Sequence, residues 1–152
     1  MSFRVEFKVP GLAKEVARLR NLKAALRRRV IRSAVRKSVS VVNKLAKAGV
    51  KVRYGLLRRA LGVRVKVYPS GVVIGVVNAR PGHRQQIGKR THDPRFYAHL
   101  VERGAKPHGY KTRRGTHRGA KAQPFLAPAI AAGTPRIQQI FTDEINAALS
   151  KS

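Results

Sequence analysis

The sequence predicts an α+β fold in which a long amphipathic helix and a C-terminal helix pack on a small antiparallel sheet. Three observations lead there: residues 30–49 carry apolar side chains at helical spacing, residues 63–77 hold two valine-rich runs around a Pro-Ser-Gly turn, and residues 137–149 return to a helical apolar stripe. With 152 residues, 43% of them hydrophobic, the chain is long enough to bury a core. It is read as one domain, 1–152, with an extended basic loop at 104–123.

Taken in order, Phe3, Val5, Phe7 and Val9 alternate with charged residues, the period of a half-buried strand, and Pro10-Gly11 ends it. Residues 12–49 have helical composition but a shifting phase. Val30, Ile31, Ala34, Val35, Ser38, Val41, Val42, Leu45, Ala46 and Gly49 share one face, with Arg29, Arg32, Arg36, Lys37, Lys44 and Lys47 opposite. Leu22 and Leu26 fall off that face, which predicts a short first helix, a break near Asn21 and a long second helix. Leu56, Leu57 and Leu61 suit a last helical turn. In the hairpin that follows, Val63, Val65 and Val67 alternate with Arg64 and Lys66, Pro69-Ser70-Gly71 turns, and residues 72–77 return. The returning run is apolar apart from Gly75, as in a central strand covered on both faces or by another subunit.

Residues 79–95 lack periodicity and read as loop; residues 96–101 read as a short strand or helical turn. From Pro124 a helix runs to Ala132, is interrupted by Gly133-Thr134-Pro135, and resumes with Thr134 as N-cap and Pro135 in the first turn. Phe125 and Leu126 anchor the start of that helix in the core, and Pro124 and Pro128 fix the chain direction.

Charge sets the function classes. Thirty-four Lys and Arg stand against six Asp and Glu, for a net charge of +28. Such a chain repels itself, so its natural partner is a polyanion or an acidic protein surface. Two basic surfaces emerge. Arg27, Arg28 and Arg29, with Arg32 and Arg36, lie on the long helix; Lys106, Lys111, Arg113, Arg114, Arg118 and Lys121 crowd a glycine-rich loop with Tyr110, where cations neutralise phosphates and an aromatic ring stacks on a base or ribose. No recognition-helix or zinc-finger pattern accompanies them, so sequence-specific readout is not expected.

The chain has no cysteine, which excludes disulfide and thiol chemistry. Its N-terminus, MSFRVEFKVPG, lacks the continuous apolar core of a signal peptide, and no apolar run is long enough to span a bilayer. The expectation is a soluble protein made in the cytoplasm. Histidines 83, 92, 99, 108 and 117 show no i, i+4 pair of the kind that holds zinc on a helix, so no metal or other cofactor is expected. Six scattered acids supply neither a carboxylate cluster for a divalent metal nor a supported general base, and the chain reads as non-catalytic. Glu102 is expected to pair with a nearby arginine and fix the turn at Gly104; His99 is expected to pack beside Tyr97.

Three segments carry a resemblance. "VRYGLLRRAL" at 52–61, "FYAHLVERGA" at 96–105 and "AQPFLAPAI" at 122–130, in that order behind a basic helix, are similar to the head-tail joining family of long-tailed phages, also called neck or tail-completion proteins. The resemblance covers roughly residues 12–132. It departs at Tyr54, where threonine is usual, at Arg103-Gly104-Ala105, and in the longer basic loop. It implies a non-catalytic virion protein of the neck or tail, assembled in the host cytoplasm as an oligomeric ring around the DNA channel. The implied partners are portal, adaptor or head-closure proteins, tail-tube or tail-terminator proteins, and genomic DNA without sequence preference. Within the resembling motifs, Tyr97, Val101, Glu102, Gly104, Pro124, Phe125, Leu126 and Pro128 are packing or interface positions. The alternative from another class is an RNA-binding protein of ribosomal or nucleoid type, since "GYKTRRGTHRGAK" has the composition of a ribosomal loop. A membrane-active basic helix is a weaker third reading.

Overall fold

The structure, a computed structural model, describes residues 16–19, 23–51, 55–70, 72–109 and 115–151. The strand expected over residues 3–9 lies outside them. Of the short first helix, Val16 and Ala17 are helical and the chain turns at Arg18 and Leu19. Lys23 is extended, with ψ 138°, and the long helix α1 (Ala24–Gly49) starts behind it.

The fold is α+β, as predicted. α1 is followed by a short helix α2 (Leu56–Ala60), strands β1 (Leu61–Val67), β2 (Val73–Ala79), β3 (Gln85–Ile87) and β4 (Arg90–His92), and helix α3 (Pro94–Arg103). Two-residue strands β5 (His108–Gly109) and β6 (Thr116–His117) precede the C-terminal helix α4 (Leu126–Leu149). Among the described residues the sheet component is three separate two-stranded antiparallel ribbons, β1-β2, β3-β4 and β5-β6.

α1 and α4 run antiparallel and form the spine. At one end Gly49 lies against Phe125; at the other, Leu19 and Val30 cluster with Ile145 and Ala148. Between them Ala34, Val42, Ala46, Ile137 and Phe141 form a continuous apolar core with Val77 and Leu126. Each of the valine, leucine, isoleucine and phenylalanine side chains contributes about 1.5–3 kcal/mol by leaving water. Gly133 sits at the helix crossing: a Cβ there would lie 3.4 Å from Leu45 and 3.7 Å from Val41.

Several expectations are corrected. α4 is one uninterrupted 24-residue helix that contains Pro135. Burial of Gly133 and Ile137 against α1 outweighs the backbone donor that proline lacks, and Thr134 turns its hydroxyl back to the Ile130 carbonyl (2.9 Å) instead of capping a new helix. Leu61 belongs to β1, not to the helical turn, because α2 ends at Ala60.

Among the described residues β2 is not a central strand: it pairs with β1 alone, in the register Leu61↔Ala79 to Val67↔Val73, and only Val77 along it is fully buried. One face lies on α1, closely enough that a Cβ at Gly75 would stand 2.1 Å from Val39. That approach buries Val39, which helical phase alone had left off the core face.

The stretch 79–95 is not all loop. β3 and β4 pair around Gly88-Lys89, and Gly88 has φ 61°, a conformation that glycine adopts without a steric penalty. Residues 96–101, expected as a short strand or a helical turn, are helical, inside the ten-residue helix α3, whose start is set by Asp93 and Pro94: the carboxylate accepts from the Arg95 N–H at 3.0 Å and proline occupies the first turn.

Candidate functional site

The basic face of α1 is built on a buried apolar one. Arg28, Arg29, Arg32 and Arg36 are exposed and Arg27 is half-buried. Helical geometry aligns Arg29, Arg36 and Lys47 along one edge with Ser40 and Asn43 between them, and Arg32 stands close by. The helix carries Arg27, Arg28 and Arg29 in its first two turns, with no acid in its first turn and no side-chain cap. Cations at that end oppose the helix dipole, which favours a negative partner.

The second surface is the loop after α3. Gly104, at φ 77°, turns the chain, and a Cβ there would come within 2.7 Å of the Ala120 carbonyl. Ala105 and Ala120 exchange backbone hydrogen bonds of 2.8 and 2.9 Å, and the Gln123 N–H donates to the Val101 carbonyl at 2.8 Å. β5 and β6 continue this closure outward. Lys106, Arg118 and Lys121 are exposed on the described part of the loop. Lys111, Arg113, Arg114 and Tyr110 lie outside the described residues. The structure therefore does not bring the loop's cations and the α1 arginines into one described site.

The junction beneath the loop turns on Glu102. Its carboxylate accepts hydrogen bonds from the backbone N–H groups of Phe125 (2.8 Å), Leu126 (3.0 Å) and Ala127 (3.2 Å). The next residue, Pro128, has no N–H to satisfy. A helix start ordinarily leaves several N–H groups without partners, and here an acid from α3 takes all that exist, aided by the dipole. Glu102 was expected to act on the turn at Gly104; its role in the structure is to cap α4. Phe125 and Leu126 are buried beside it, Tyr97 and Val101 are half-buried against the same core, and Pro124 and Pro128 are exposed. Burial, and then the Asp93 charge, raises the Tyr97 hydroxyl above its ordinary pKa.

Sequence reasoning missed Asp93. It is buried, receives Arg95 Nη2 at 2.7 Å and Arg84 Nε at 3.0 Å, and caps α3. The hydrogen bonds from Arg95, then that from Arg84, hold its carboxyl well below the usual carboxylate range against the opposing effect of burial. The Asp-Pro pair at 93–94 was the available signal. Glu144 is paired with Lys37 across the α1–α4 seam and is likewise lowered, chiefly by that bond and then by Ser33. Asp143 accepts from Gln139 at 2.7 Å.

All four described acids are thus engaged in structural bonds. The larger cleft, about 410 Å³ between α2, α3 and the chain returning from the loop, is lined by Leu57, Tyr97, Leu100 and Val101 with Lys51 and Lys121, and by no carboxylate. Among the described residues no group of three or more His, Asp or Glu is placed to hold a metal ion, and no helix is long and apolar enough to cross a membrane. These features define a basic α+β protein whose described acids all serve its frame. A family model described as "Bacteriophage HK97-gp10, putative tail-component" matches residues 14–104, more than half of the chain, and the protein belongs to this HK97-gp10-like family. It is a phage tail-component structural protein and hence a virion component. The match ends at Gly104, so the segment 122–130 and the basic loop lie beyond it. No curated protein and no solved structure matches the chain.

Proposed function

We propose that the protein joins the phage head to its tail, as a neck or tail-completion component, by forming an oligomeric ring around the DNA channel. The observation that carries this reading is β2: an apolar strand, paired with β1 on one edge only among the described residues, leading from a hairpin tip where Val67, Tyr68 and Val72 are exposed. An apolar strand with an open edge is stabilised by a neighbouring subunit. In this reading residues 1–152 act as one domain, and the ring meets connector proteins on one side and tail-tube or terminator proteins on the other. The cations of α1 and of the loop face DNA or acidic surfaces of those partners, without reading sequence.

The test is mass by light scattering at high salt, where nonspecific charge association is suppressed. The expected result is a discrete species of about six or twelve copies, formed alone or with a connector protein. The +28 charge also suits the second reading, an RNA-binding protein of ribosomal or nucleoid type. A chain that stays monomeric with connector proteins and binds RNA stoichiometrically would replace the ring by that reading.

A further inference from the structure

A second cleft, of about 320 Å³, lies between α1 and β1 and shares no lining residue with the loop or with Glu102 and its hydrogen-bond partners. Arg36 and Lys47 line it from α1, Arg80 from the end of β2, and Ser40 and Asn43 lie between the two α1 cations. No described acid lines it: Asp93 holds Arg84 and Arg95, Glu102 caps α4, Glu144 holds Lys37, and Asp143 accepts from Gln139. Three cations line one polar recess, with no counter-charge there among the described residues.

The position of Arg80 is built into the backbone. Its N–H donates to the Ala60 carbonyl at 2.8 Å, and its Nη2 donates to the Val63 carbonyl at 3.3 Å. The side chain lies across Gly62 so closely that a Cβ at residue 62 would stand 1.9 Å from its Nε. Glycine in the middle of a strand forgoes packing and costs backbone entropy. Here its missing side chain is the space that the guanidinium fills, and one hydrogen bond leaves most of the five guanidinium N–H donors available to a ligand.

We infer that this cleft is a seat for a phosphate group, held by Arg36, Lys47 and Arg80. Two guanidinium groups and an ammonium exceed what a planar carboxylate can engage, and they match a tetrahedral anion with several oxygens. The phosphate is either a free ion or a backbone phosphate of a nucleic acid. The site stands apart from ring formation and does not depend on it.

The experiment titrates inorganic phosphate into the full-length protein in about 0.3 M NaCl, where diffuse association is screened, and follows backbone amide resonances. Ser40, Asn43, Gly62 and Arg80 should shift together and saturate. Gly62→Ala keeps every charge but displaces the guanidinium, and it should weaken binding about fivefold or more, as should Arg80→Gln. Arg118→Gln, which removes a charge from the loop, should leave the affinity within about twofold. Retained resonances across the β1-β2 ribbon show that each variant is folded. Wild-type affinity in either cleft variant would overturn the proposal, and so would a non-saturating response spread over the whole basic surface. A short DNA duplex run through the same variants separates the sources: parallel losses identify a backbone phosphate, whereas loss of phosphate binding alone identifies the free ion.

Discussion

The positive charges of residues 24–49 and of residues 105–121 stand on different kinds of backbone. On α1 the arginines project from a helix whose other side is buried against α4 and the β1-β2 ribbon, so their spacing is fixed by the helix and its core. The loop is closed at its base by the Ala105↔Ala120 bridge, a two-residue ribbon and one bond to Val101, and none of its described residues before Phe125 belongs to the apolar core. The difference teaches that charge density and binding geometry are separable. A core-backed face holds cations at set distances, as at the Arg36, Lys47 and Arg80 cleft, whereas a loop closed by a backbone bridge carries charge density without that backing. The family match draws the same line, because it includes α1 and stops where the loop begins.

The sharpest way to break that comparison is to undo the loop's attachment. Glu102→Ala leaves three backbone N–H groups at the start of α4 without their acceptor and should cost about 2–3 kcal/mol, measured by urea denaturation. If the stability is unchanged, the junction is not what ties the loop to the core. A smaller effect is expected at the loop base itself. Gly119 has φ 81°, and a Cβ there would lie 2.3 Å from the Ala105 carbonyl, so Gly119→Ala should cost about 1–3 kcal/mol. Faster hydrogen exchange at Ala105 and Ala120, with α1 unaffected, would confirm that the loop closes separately from the helix face.

Acid should act on the frame. Asp93 and Glu144 both have folded pKa values below their unfolded ones, so their stabilisation is fully present above the unfolded carboxylate range and fades as pH falls below about 4. The urea midpoint should therefore drop on acidification, and Asp93→Asn should flatten that drop; an unchanged acid limb in Asp93→Asn would assign it to other groups. The smallest effect concerns salt. Arg36→Gln and Arg118→Gln should each lower the slope of log affinity for duplex DNA against log salt by about one if each neutralises a phosphate. A slope that changes for only one of them identifies which surface meets DNA.

Much of the frame was legible because its signals are local. The cation stripe opposite Val30, Ala34 and Val42 follows from helical phase, the β1-β2 hairpin from alternation around Pro69-Ser70, and the anchoring of α4 from the apolar Phe125-Leu126 pair. The three-residue strands β3 and β4 were too short to show a period. Asp93-Pro94 was readable as a helix start, yet the surrounding Gly, Pro and charged residues read as loop.

Of the candidate site, the sequence settled which residues carry charge and that acids are scarce, since composition needs no fold to be known. It settled the helix faces as well, because a period of 3.6 residues is a property of neighbours in the chain. Tertiary structure alone decided that Glu102 caps α4, that Gly75 brings Val39 into the core, that α4 continues through Pro135, and that Arg80 lies across Gly62 beside Arg36 and Lys47. Each of these depends on groups brought together from separate elements. Local propensity carries no information about such meetings, because the energy that fixes them comes from packing and hydrogen bonds formed only once the chain has folded.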